Sequence, residues 1–188
     1  MNFKLGEIVE TEKFQFVRIH KNANLSVDKC IKDNFKKEEI FYVRRLSTKK
    51  PRFCIIRDPY ERFLSGLKYD LNLSNIDIKD IDIKQLFTAN EVHPRNLLRG
   101  YIKHSISQMP YLFNTQCSHY VNLKDLNLFL KTHFNQTAHE NKSTVNNNEI
   151  EKYIDKDEVM KYLHLDYHIY NTINKSAFLW EWQHGKIF

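Results

Sequence analysis

Short apolar runs with β-branched and aromatic members alternate along this chain with longer stretches whose apolar residues recur at helical spacing. FQFVRI at 14–19 is such a run and predicts a buried strand. A polar turn, HKNAN at 20–24, follows it, and LSVDKCIKDNF then places Val27, Ile31 and Phe35 on one helical face. EIFYV at 39–43 and RFCII at 52–56 predict two more strands. Asp58 as N-cap, Pro59 as first helical residue and Glu61 two positions on mark the start of a helix that runs to about Leu71 and buries Phe63 and Leu67. Further helices are predicted over 80–88, 92–104 and 125–133, the last after the strand-like HYVNL at 119–123. The stretch 135–149 is polar without a periodic apolar face and predicts a long loop. A final helix over about 156–174 carries Val159, Leu163, Tyr167, Tyr170 and Ile173. Strand–loop–helix units at 14–35 and 52–71 predict an α/β fold with a central parallel sheet flanked by helices. No repeat or linker divides the chain, so a single domain over 1–188 is expected, with its core at about 14–174.

Composition narrows what such a fold can do. Of 188 residues 41% are hydrophobic and 13% aromatic, enough to order a core. Lys and Arg number 29 against 23 Asp and Glu, and the net charge of +6 suits an anionic partner without choosing among nucleotide, sulfated sugar, nucleic acid or lipid. Glycine occurs only at 6, 66, 100 and 185, so neither a G-x-x-x-x-G-K-[ST] loop nor a G-x-G-x-x-G turn can be written. ATP or NAD binding through those loops is thereby excluded. Cys30, Cys54 and Cys117 form no disulfide framework and no Cys-x-x-Cys metal site, and Cys54 reads as a small core residue. No run of 18 apolar residues exists and MNFKLGEIVETEKF lacks the apolar stretch of a signal peptide, so the expected compartment is the reducing cytoplasm.

Open parallel sheets bind ligands beyond the carboxyl ends of their strands. Two strand-to-helix loops here are suited to phosphate. In FVRIHKNANLS, Lys21 follows a strand directly and small polar residues lead into a helix, an arrangement that offers backbone N–H groups, a helix N-terminus and a mobile positive charge. Its plain alternative is a surface turn with a solvated lysine. In CIIRDPYERFLSGLKY, Arg57 ends a strand and Ser65 lies two turns into a capped helix, so a forked guanidinium and a hydroxyl offer a cradle for a phosphate monoester. Arg62 either joins that cradle or braces the loop.

RDPYERFLSGLKY resembles the R-D-P-x-x-R-x-x-S-x-x-x-Y signature of the sulfotransferases that use 3′-phosphoadenosine 5′-phosphosulfate (PAPS), especially the carbohydrate branch. The resemblance implies a P-loop-like sulfotransferase fold and a nucleotide 3′-phosphate held by Arg57 and Ser65. FVRIHKNANLS is similar to the family's 5′-phosphosulfate loop, usually P-K-[ST]-[GA]-x-[ST]-[ST]. Lys21 falls on the catalytic lysine, Ala23 on the small residue and Ser26 on the last hydroxyl. His20 stands where the family has Pro, Asn22 and Asn24 where it has small or hydroxyl residues, and Leu25 where it has Thr. HSISQMPYL at 104–112 resembles an H-x-x-x-Q-x-x-Y-L segment, and YVNLKDLNLFLKTHF, HENKS and LHLDYHIY resemble later family segments in the expected order.

By this resemblance the reaction is in-line transfer of a sulfuryl group from PAPS to an acceptor hydroxyl, with a carbohydrate as the expected acceptor class, leaving 3′-phosphoadenosine 5′-phosphate (PAP). Lys21 is the expected catalytic cation. Backbone N–H groups of residues 22–26 (Asn22, Ala23, Asn24, Leu25, Ser26) hold the phosphosulfate, with Arg57, Arg62 and Ser65 at the other phosphate and Lys142 in a loop that folds over the nucleotide. The base is His104, His20 or an acid elsewhere. The scheme uses no metal, no nucleic acid and no membrane span. Two other readings stay open: a PAP-binding protein of the same fold that has lost transfer, suggested by Leu25 and the two asparagines, and a basic nucleic-acid-binding module. The cations Arg44, Arg45, Lys49, Lys50 and Arg52 read as a solvated face or as a surface for an anionic acceptor.

Overall fold

The structure, a computed structural model, describes residues 8–75, 77–88, 108, 112, 117–138 and 150–175. By its contacts the chain divides into two compact units. The first comprises residues 1–57, 108–141 and 169–188, and the second residues 58–107 and 142–168.

The first unit is built on a five-stranded sheet: β1 (Ile8–Glu10), β2 (Gln15–Val17), β3 (Phe41–Val43), β4 (Arg52–Ile56) and β5 (His119–Asn122), in the order β3-β1-β2-β4-β5. β2, β4 and β5 are parallel, as expected. β1 pairs antiparallel with both β2 and β3, so the sheet is mixed and not the purely parallel one that the strand–loop–helix units predict. The reason is the strand that the sequence pattern hides. β1 is only three residues long and turns into β2 at Thr11, whose hydroxyl accepts from the Lys13 and Phe14 amides (3.3 Å each) while its own amide donates to the Phe14 carbonyl (3.0 Å). That tight hairpin reverses the chain before β2, and an antiparallel edge follows.

Alternation along the strands gives the sheet two apolar faces. Phe14, Phe16, Phe53, Ile55 and Val121 meet Val27, Cys30 and Ile31 of α1 (Asn24–Asn34) and Phe129, Leu130 and Phe134 of α4 (Leu126–Phe134). Phe53 lies at the centre, with ring centroids 5.3 Å from Phe14 and 5.1 Å from both Phe16 and Phe129. Such pairs add about 0.5–1.5 kcal/mol each beyond the area they bury. On the other face Val17, Ile19, Cys54, Ile56 and Tyr120 meet Leu112, Cys117 and Ile173. Cys54 is fully buried there, as its place in an apolar run suggests.

The second unit is helical: α2 (Pro59–Ser74), α3 (Ile83–Thr88), α5 (Lys156–Tyr162) and the first residues of α6 (His164–Asn174). Its core joins Tyr60, Phe63, Leu67, Leu71, Ile81, Val159 and Leu163. Phe87 stacks on Tyr162 at 4.7 Å. The single helix expected over 156–174 is two. Leu163, at φ −92° and ψ 9°, breaks it, although the apolar spacing runs on unchanged through the break. The helix expected at 92–104 lies outside the described residues.

Candidate functional site

Both loops that the sequence singles out leave the carboxyl ends of neighbouring parallel strands, β2 and β4. Beyond β2, Arg18 pairs with Asp28 on α1 (2.9 Å), and the Asn22 amide donates to the Ile19 carbonyl (3.2 Å) to close the turn. Lys21 (φ 65°) and Ala23 (φ 58°) both take left-handed backbone, costly without glycine at about 1–3 kcal/mol each. Ala23 is the N-cap of α1 and supplies no capping side chain. The Ser26 and Val27 amides close back on the Ala23 carbonyl (3.1 and 3.2 Å). The amides of Ala23, Asn24 and Leu25 meet no acceptor among the described residues, and Asn24 and Leu25 open α1, where the helix dipole is positive. Of the amides expected at 22–26 to face a phosphate, those of Asn22 and Ser26 are bonded within the turn, which leaves those of residues 23–25 without an acceptor among the described residues.

Asn22 is buried and serves the framework. Its Nδ2 donates to the Ile55 carbonyl (2.7 Å) and to Oε1 of Gln108 (3.1 Å), and Gln108 Nε2 in turn donates to the Arg57 carbonyl (2.9 Å). A chain of three hydrogen bonds thus ties the loop after β2 to the loop after β4. Arg57 closes the same gap from the other side, Nη1 lying 3.5 Å from the Lys21 carbonyl. Oδ1 of Asn22 and of Asn24 are buried acceptors without a donor among the described residues. Strained backbone together with unmet polar atoms is uncommon in native folds and concentrates at functional sites. Around this core Lys21 is half-buried, Ser26 buried, His20 exposed and Leu25 exposed to 66%.

The helix start read from Asp58 is found in the second unit. Asp58 Oδ1 accepts from the Tyr60 and Glu61 amides (3.0 Å each), and Pro59 is the first helical residue. The Tyr167 hydroxyl donates to the same carboxylate at 3.0 and 3.1 Å. Burial, reinforced by that negative neighbour, raises the Tyr167 phenol far above its ordinary value, so it stays a donor. Arg62 is buried on α2, Ser65 is half-buried, and Lys68 and Asp70 are buried as well. Burial lowers the Lys68 ammonium.

His104 and Lys142 lie outside the described residues. His119 is held by Ser118 (Nδ1 to Oγ, 3.0 Å) and burial lowers its pKa, while His133 lies against the Phe129 ring. Among the described residues no group of three or more metal-type ligands occurs, and no helix is long and apolar enough to cross a membrane.

Sequence reasoning did not assign roles to Gln108 or Tyr167. Both sit inside strings that resemble family segments, but nothing local marks either as a bridge. Gln108 acts across 86 positions and Tyr167 across 109. Comparison with protein-family models, with curated proteins and with solved structures finds no match to this chain.

Proposed function

We propose that the chain is a PAPS-dependent sulfotransferase with a P-loop-like sulfotransferase fold, transferring a sulfuryl group to an acceptor hydroxyl, with a carbohydrate as the acceptor class. The observation that supports it is the meeting of the two phosphate-type loops at adjacent parallel strand ends, Arg57 3.5 Å from the Lys21 carbonyl and Gln108 joined to both sides. Three amides without an acceptor among the described residues, a helix N-terminus, Lys21 and Arg57 then lie in one unit and suit a ligand with more than one phosphate.

In this reading the amides of residues 23–25 hold the 5′-phosphosulfate and Arg57 holds the 3′-phosphate. The acceptor oxygen attacks sulfur in line as the bond from sulfur to the bridging oxygen breaks. Lys21 neutralises the negative charge that gathers on that oxygen, and a base takes the acceptor's proton. PAP leaves.

A second reading, a PAP-binding protein of the same fold that does not transfer, is favoured by one observation. Asn22 gives its amide nitrogen to the framework and Leu25 carries no hydroxyl, so neither side chain donates to a phosphosulfate.

Calorimetric titration with PAP, with AMP and ATP as controls, tests the site, and labelled PAPS with an acceptor panel tests transfer. Tight PAP binding with sulfated product supports the transferase. PAP binding without product selects the second reading. Equal affinity for AMP and PAP overturns both, because the 3′-phosphate then contributes nothing.

A further inference from the structure

β3 ends the sheet among the described residues, and its outer edge meets no further strand there. Edge strands in native proteins are ordinarily guarded by charge, shortness or an overlying element. β3 is short, yet it displays two aromatic side chains: Phe41 is 55% exposed and Tyr42 51%. Successive strand residues face opposite sides of a sheet, so one ring flanks the open edge on each face.

Cations border this edge at both ends. Lys36 and Lys37 precede β3 and Arg44, Arg45 and Lys49 follow it, all exposed and without an ion pair among the described residues. Glu38 is the one exposed acid between them; Glu39 is turned back on the Lys36 amide (2.9 Å).

The segment that carries the arginines is held firmly. Gln15, fully buried, donates through Nε2 to the Arg45 carbonyl (3.0 Å) and accepts from the Ser47 amide (2.8 Å). Lys50 bridges Glu10 (2.8 Å) and the Thr11 carbonyl (2.7 Å), and Gln15 Nε2 also bonds Glu10. A solvated loop needs no buried glutamine to fix it. This one is fixed beside an open edge, which removes much of the ordering cost of binding there. It also enters β4 at Arg52, the end opposite Arg57, so it is separate from the site above.

We propose that β3 is a docking edge for an extended, acidic segment of another protein, which adds as a sixth strand. Main-chain hydrogen bonds to the free edge supply affinity, Phe41 and Tyr42 each cover an alternate side chain, and the flanking cations select acidic residues. The edge singles out a polypeptide, because only a strand satisfies a row of backbone donors and acceptors. Charge singles out a foreign one, because a second copy of this chain would bring the same cations to the same edge. The inference does not rest on the transferase reading.

The probe is a fluorescein-labelled octapeptide alternating valine and glutamate, followed by anisotropy against the full chain. Binding is expected, with weakening of about tenfold or more in the Arg44→Glu/Arg45→Glu double variant. Similar weakening is expected in Tyr42→Ser, and when alternate probe amides are N-methylated on one edge. Equal binding by the N-methylated probe would overturn the proposal, since charge alone would then suffice. So would equal binding by the lysine–valine counterpart, no binding at millimolar probe, or self-association that the probe does not compete. Stronger binding by a heparin oligosaccharide or a single-stranded oligonucleotide, competing at the same residues, would show a general polyanion surface instead and likewise overturn it.

Discussion

Lys21 and Arg57 are the residues whose chemistry the proposed reaction uses most directly, and their replacements should fail differently. Lys21→Ala is expected to remove turnover while most PAP affinity remains, because in the proposed site the amides of residues 23–25 and Arg57 would still hold phosphate. Unchanged turnover in a labelled-donor assay would remove Lys21 from the mechanism. Arg57→Ala should weaken PAP by about 2–3 kcal/mol in calorimetry, the usual size of a lost charge-assisted contact. Asn22 differs from both. Asn22→Ala leaves the Ile55 carbonyl and Gln108 Oε1 without their donor in a buried place, so unfolding in urea should show a loss of about 2–3 kcal/mol. Residue types and spacing singled out Lys21 and Arg57 in the sequence, and the structure brings their loops together. They did not reveal that Asn22, read as a ligand contact, turns inward, since its partner Gln108 is distant along the chain.

Among the elements, α2 shows what a local signal can and cannot carry. Its start was readable because Asp58, Pro59 and Glu61 decide it within four residues; its tie to Tyr167 was not. Asp58→Ala should therefore cost more than an ordinary cap, about 2–3 kcal/mol in thermal or urea unfolding, with Tyr167→Phe near 1 kcal/mol. Equal losses in the two variants would mean that the phenol, not the cap, dominates. β1 escaped the pattern because three residues are too few to show alternation. Its antiparallel direction is likewise set by the hairpin that follows it at Thr11 and not by its own residues. The break at Leu163 was hidden for the opposite reason: Val159, Leu163 and Tyr167 keep helical spacing through it.

For the molecule as a whole, one surface contact sets an expected response to acid. Glu10 is held below its ordinary 4.5 chiefly by the hydrogen bond from Lys50, with the Gln15 amide adding to it and partial burial opposing. A carboxylate lowered in the folded state stabilises the fold above its unfolded pKa, and that contribution is lost as pH falls through the folded value. The urea midpoint should accordingly drop as the pH falls below Glu10's ordinary 4.5, and Glu10→Gln should flatten the drop. An identical pH profile in the variant would assign the acid response to other carboxylates.

The bonds from Asn22 to the Ile55 carbonyl and to Gln108, and from Gln108 to the Arg57 carbonyl, tie main chain to main chain between the two loops. The Arg57 guanidinium joins that tie through the Lys21 carbonyl, so a cation proposed to hold the ligand also shapes the turn beside it. Redesign toward another anion would therefore have to keep a donor at position 57 for the Lys21 carbonyl, or accept a reshaped turn.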